Sequence, residues 1–225
     1  MAEQSQDKIE KSVETLVNEN RIIDFSDAVF AFAATLLVLK IDLPNLTPAE
    51  LTSARLTQEL FNLWPSYLAN IISFLIIGYY WLNHHAIFSL IKKFDQTIIW
   101  LNIVFLIFLS FLPFPVDLFG EYSNSNIIVA FYCFSLSLVG FLLVSIWLYG
   151  SYKNQCIEKD LNRTHVIYYT LRFSLAPLVF ALSIPLAFID PMIAKISWVF
   201  VIIGITIVNK SFHLKKPSLI DRESV

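Results

Sequence analysis

Residues 21–39 read Arg21-Ile22-Ile23-Asp24-Phe25-Ser26-Asp27-Ala28-Val29-Phe30-Ala31-Phe32-Ala33-Ala34-Thr35-Leu36-Leu37-Val38-Leu39. Continued to Ile41, the stretch supplies about 20 mostly apolar residues, the length a helix needs to cross a hydrocarbon core of about 30 Å. Its polar residues gather near one end. Five further stretches of similar character follow, at Phe61–Leu82, Thr97–Val116, Ile127–Leu148, Val166–Phe188 and Met192–Val208. The runs are continuous, whereas the strands of a membrane β-barrel alternate apolar and polar residues. The fold class is therefore all-α, a polytopic membrane protein with six transmembrane helices. The expected division is a segment 1–21, a six-helix domain 22–209 and a tail 210–225.

Composition agrees. Of 225 residues, 56% are hydrophobic and only 15% charged, against about 25% charge in a typical soluble domain. So much apolar surface cannot all be buried inside a chain of this size, and the excess must face lipid. A net charge of −2 with no long basic run gives no reason to expect nucleic acid as a partner. Cys133 sits in an apolar run and Cys156 in a polar loop, so no disulfide framework is expected. The opening residues are polar and acidic, and the first hydrophobic helix is expected to act as its own insertion signal.

Orientation follows from the basic residues that flank the spans. Lys8, Lys11, Arg21, Lys92, Lys93, Lys153, Lys159, Arg163, Lys210, Lys215, Lys216 and Arg222 all fall on one side. The other side has Arg55 in a loop, with Lys40 and Lys195 at span edges. Both termini are thus expected in the cytoplasm. Two flanking pieces suit amphipathic helices: Lys8–Asn20, and a loop helix starting at Thr47-Pro48-Ala49-Glu50 with Thr47 as cap.

Charge within a span is costly and requires a reason. Ser26 and Asp27 lie about a turn inside the cytoplasmic edge of span one. Span two leaves on that side through Trp81-Leu82-Asn83-His84-His85. The two polar groups therefore share one membrane depth, where a carboxylate and an imidazole lower each other's desolvation cost. Two readings stay open, a polar cluster that fixes helix packing and a proton sensor built on the imidazole. Arg21 is within reach of Asp24 or Asp27. Arg172 in span five suits a snorkelling or paired residue, since a voltage sensor needs several basic residues in series.

Helical spacing places Ala28, Phe32, Thr35 and Leu39 on one side of span one, with Leu36 adjacent. Ala31, Ala33 and Ala34 permit close helix approach. Read alone, this is a tightly packed central helix.

The pattern Arg21-x-x-x-Phe25-Ser26-Asp27, then Phe30-Ala31 and Thr35-Leu36-Leu37-Val38-Leu39, resembles the signature of the prokaryotic transmembrane protein 175 family. Span two adds Tyr67-Leu68, Gly78, Trp81-x-Asn83-His84-His85 and Phe88. The resemblance implies a potassium-permeable cation channel and no enzyme. One copy of the Phe-Ser-Asp motif implies a homotetramer with a pore lined by the first helix, in contact with membrane lipid and passing K⁺ and other monovalent cations. It places the constriction at Phe32, Leu36 and Leu39, with a hydroxyl layer at Thr35. It also assigns Arg21, Ser26, Asp27, Trp81, Asn83 and His84 to a polar network that ties the first helix to its neighbours. No cofactor or metal is implied, only K⁺ as permeant ion. Phe32 replaces the usual Ile or Leu of the family, and Lys40 a position that is often acidic; bulk at the first and charge at the second oppose cation flow.

The alternative from the residues alone is a secondary, proton-coupled transporter. That would require broken helices and internal repeats, for which Pro177 and Pro185 in span five are the nearest candidates. An intramembrane aspartyl protease would need a second mid-membrane Asp beside Asp27. His-Glu-x-x-His does not occur in the sequence.

Overall fold

The computed structural model describes residues 2–39, 52–92, 94–152, 161 and 163–212, and the side chains of the first helix from Asn20 on. Among these residues every element is helical: α1 (Ala2–Leu39), α2 (Ser53–Asn62), α3 (Trp64–Leu90), α4 (Gln96–Phe111), α5 (Pro113–Glu121), α6 (Asn126–Tyr152), α7 (Arg163–Ile189), α8 (Pro191–Ser197) and α9 (Val199–Ser211). Six stretches are long and apolar enough to span a membrane: Asn20–Leu39, Trp64–Leu90, Gln96–Glu121, Asn126–Tyr152, Arg163–Ile189 and Pro191–Ser211. The second runs well past Leu82, so Asn83, His84 and His85 lie inside the helix, where the sequence reading had ended it.

Two spans expected as single helices are kinked. The third bends at Leu112, because Pro113 and Pro115 bring no N–H to the helix ladder. Leu112 itself stays right-handed helical (φ −55°, ψ −33°) and its N–H donates to the Leu109 carbonyl. The sixth bends at Trp198, which is also helical (φ −64°, ψ −21°). Neither bend is an unwound segment. Conversely, α7 continues through Pro177 and Pro185 without a break. The short helix before span two starts at Ser53, where the Thr52 hydroxyl accepts the Arg55 N–H at 3.3 Å. The cap expected at Thr47 lies outside the described residues, as do Lys40 and the side chains of Lys8 to Val17.

Lipid removes most of the hydrophobic drive between helices, so close packing and interhelical hydrogen bonds hold the bundle. The largest interface joins α6 and α7. Gly140 lets it close: a Cβ there would sit 2.7 Å from Pro177 Cβ and 2.9 Å from the Tyr80 hydroxyl. Around it the Tyr80 hydroxyl donates to the Leu136 carbonyl (2.8 Å) and the Ser137 hydroxyl to the Pro177 carbonyl (3.0 Å). Ser73 and Tyr132 pair at 2.9 Å. Trp147, Tyr80 and Tyr132 are fully buried at the centre. The helix α1 packs against α3, α4 and α5, while α9 rests mainly on α7 and buries none of its residues.

Gly140→Ala is expected to destabilise the protein in detergent by about 1–3 kcal/mol, the usual cost of overpacking. Gly78→Ala, with nothing within 4 Å of its added Cβ in the protomer, is expected to hold protomer stability or raise it by up to about 1 kcal/mol, since alanine is the better helix former. Thermal denaturation of both variants beside wild type checks the contrast.

Candidate functional site

The rotation of α1 about its own axis decides which side chains are available. Ser26, Phe30, Ala33 and Leu37 are buried at spacings of three and four, one stripe of the helix. The opposite stripe carries Asp24, Phe25, Ala28, Ala31, Phe32, Thr35, Val38 and Leu39, all exposed in the protomer. Phe32 is 62% and Leu39 77% exposed, while Leu36 is half-buried at the edge of the stripe. The Thr35 hydroxyl donates to the Phe32 carbonyl (3.0 Å). Its proton is thus held by the backbone and its lone pairs point outward. At about 1.5 Å per residue, Phe32 and Leu39 are about 10 Å apart along the axis.

A chain of hydrogen bonds sets that rotation. The Ser26 hydroxyl donates back to the Ile22 carbonyl (2.8 Å) and accepts Nδ2–H of Asn102 on α4 (2.9 Å). Asn102 Oδ1 lies 3.0 Å from Nε2 of His84 on α3. Because Nδ2 is committed to Ser26, Oδ1 is the acceptor and Nε2 carries the proton. Ser26 and His84 are 0% exposed and Asn102 2%. The imidazole is also gripped by rings: Phe88 at 4.2 Å and Phe105 at 5.6 Å are stacked on it, and Phe30 of α1 meets it edge-on at 5.4 Å. One histidine thereby joins three helices.

A second tie lies one residue further along α1. Trp81 Nε1–H donates to Asp27 Oδ1 at 2.8 Å. Beside it a cleft of about 330 Å³ opens between α1 and α3, with Ala31 and Ala34 facing Phe74 and Gly78.

Of the six residues assigned to the polar network, the structure joins Ser26 to His84 through Asn102, and Asp27 to Trp81. It does not join the rest. Arg21 is exposed on the uncovered stripe, and among the described residues no ion pair joins it to Asp24 or Asp27. Asn83 is buried, but its Nδ2 has no hydrogen-bond partner among the described residues. No hydrogen bond links Asp27 to His84; at their shared depth each is held by its own tie. Sequence reading missed Asn102, the bridge itself. Its signal was present as a lone carboxamide in the apolar run Ile98–Phe111. It also missed that Asp24 shares a stripe with Phe32. Among the described residues no group of three His, Cys, Asp or Glu side chains is arranged to hold a metal.

Comparison with known proteins places this geometry in context. The family model for the endosomal/lysosomal potassium channel TMEM175 matches residues 21–113, which hold the apolar half of α1 from Arg21 on, both ties and their partners. A potassium channel of Chamaesiphon minutus is 33% identical over 173 residues, covering 76% of this chain and 84% of that protein. A potassium channel of Streptomyces collinus is 31% identical over 180 residues, covering 77% and 85%. The fold is similar to the crystal structure of a lysosomal potassium-selective channel TMEM175 homologue from Chamaesiphon minutus. There the TM-score is 0.73 at 29% identity, over 86% of this chain and 99% of that one.

Asn102→Leu strands the buried Nε2–H of His84 and is expected to cost about 0.5–2 kcal/mol in thermal or chemical denaturation. His84→Phe combined with Asn102→Leu removes both partners and suits the phenyl-lined site, so the double variant regains most of that loss. A double-mutant cycle in detergent measures the recovery.

Proposed function

This chain belongs to the TMEM175 family of potassium channels, and from that membership we propose that it conducts K⁺ passively through a homotetrameric pore lined by α1. The observation that carries the reading is the uncovered stripe Ala28, Phe32, Thr35 and Leu39 on a helix otherwise fixed within the protomer. Four such stripes around one axis form a narrow throat, with rings of Phe32, Leu36 and Leu39 and a hydroxyl layer at Thr35 between them.

The chemistry of such a throat differs from a carbonyl filter, for which the sequence has no Thr-Val-Gly-Tyr-Gly run. An apolar neck expels water and thereby blocks ions, and a small widening rewets it. The Thr35 oxygens face outward with free lone pairs and offer contact to a partly dehydrated cation. Phenyl rings at position 32 fill more of the neck than Ile or Leu would and hold the resting pore tight. Asp24, two turns before Phe32 on the same stripe, adds a carboxylate from each subunit at the mouth and raises the local cation concentration. The protein sits in the prokaryotic plasma membrane with both termini cytoplasmic, as the distribution of basic residues favours. It needs no cofactor beyond the permeant ion.

Two outcomes test this in liposome K⁺ flux or single-channel recording. Phe32→Ala and Leu39→Ala each raise K⁺ leak several-fold or weaken selectivity over Na⁺; flux unchanged in both removes the pore from α1. Asp24→Asn lowers conductance at low ionic strength. That deficit shrinks above about 0.1 M salt, where the Debye length falls below about 10 Å.

A further inference from the structure

A second feature lies away from α1. Between α3, α7 and α9 runs a groove of about 420 Å³, lined by apolar side chains such as Ile76, Ala176, Phe180, Ile202 and Ile205. It lies at mid-span and opens outward, since α9 has no buried residues. At one end Lys195 is already engaged, its Nζ donating to the Ser123 carbonyl at 3.1 Å.

The other end, where α9 finishes and α7 begins, is different. Tyr79 lines the groove and its hydroxyl donates to the Arg172 carbonyl (3.2 Å). Arg172 lies one turn before Ala176 on α7, so its guanidinium sits just beyond this end of the groove, next to the Tyr79 that lines it. Arg172 Nη1–H donates to the Tyr168 hydroxyl (3.3 Å), which donates in turn to Asn209 Oδ1 on α9 (2.8 Å). The Arg172 Nε–H is buried and has no partner, and no carboxylate pairs with this cation among the described residues. A guanidinium inside a membrane span needs a counter-charge. A neutral phenol does not supply one.

We propose that this groove is a binding site for one anionic phospholipid. Its acyl chain lies along Ala176, Phe180, Ile202 and Ile205, and its phosphate accepts hydrogen bonds from Arg172. Three observations converge on that occupant. The lining is apolar and at hydrocarbon depth. The one charge at its open end is positive and uncompensated. The same end of the bundle carries Lys92, Arg163 and Lys210, and juxtamembrane basic residues attract anionic lipid. The fork of N–H donors on Arg172 matches phosphate oxygens in a way that a lysine would not. The lipid fills the space between α9 and α3 and completes the packing that α9 lacks.

Native mass spectrometry of the detergent-solubilised protein with equimolar phosphatidylglycerol and phosphatidylcholine reads this without ion flux, so its outcome is separate from that of the channel reading. Wild type retains phosphatidylglycerol several-fold over phosphatidylcholine. Arg172→Gln loses the preference and Arg172→Lys keeps part of it. Ile202→Trp, at a wall position that is 70% exposed, fills the groove without overpacking the core, leaves the cation in place and lowers total lipid retention. Equal retention of the two lipids by wild type overturns the proposal. So does an unchanged preference in Arg172→Gln, or, should that variant not fold, unchanged retention in Ile202→Trp.

Discussion

The hydrogen bonds Ser26–Asn102–His84 fix the rotation of α1, and every other property of that helix follows from it. A helix advances about 100° per residue, so once Ser26 is turned inward Phe30, Ala33 and Leu37 must follow. Ala28, Phe32, Thr35 and Leu39 are then turned away from the protomer. A rotation of one residue would bury Phe32 and expose the serine hydroxyl. The bonds are buried among rings, where an orphaned donor is more costly than in water. The Asp27–Trp81 bond holds the same helix to α3 by a separate contact. Two ties at adjacent positions resist rotation better than one.

Membrane crossing was legible in the sequence because long apolar runs have only one stable solution in lipid. The stripe of α1 was legible too, since its spacing is a property of one helix. Pairings between helices were harder to read. Depth alone set Asp27 beside His84, but depth does not fix the angle around each helix. The angles send Asp27 to Trp81 and His84 to Asn102. Asn102 drew no attention because its neighbours in span three, Ile98–Leu101 and Ile103–Leu109, are all apolar. Leu112 and Trp198 show another limit. Proline explains the first kink, while at Trp198 no residue type marks the bend. Arg172 could be noted as an isolated cation with Tyr168 one turn before it, but the groove beside them depends on where α9 lies.

The two halves of the bundle differ in how they are held. Around α6 and α7, Gly140 and buried hydroxyl bonds give close interior packing. At α9 there is little burial and an open apolar groove beside it. The helix α1 has a rigid seat, which α3 and α4 provide through the histidine. The periphery is free to take its last contacts from the surrounding lipid.

The most direct test places a cysteine at Thr35 in a protein whose Cys133 and Cys156 are replaced by serine. Ala33→Cys in the same background serves as the buried comparison. Potassium efflux from liposomes is followed during exposure to a small cationic thiol reagent, and labelling is verified by intact mass. If four copies of α1 surround the ion path, Thr35→Cys is modified and efflux is blocked, while Ala33→Cys stays unreacted and conducting. Complete labelling of Thr35→Cys with undiminished efflux would contradict a pore lined by this helix.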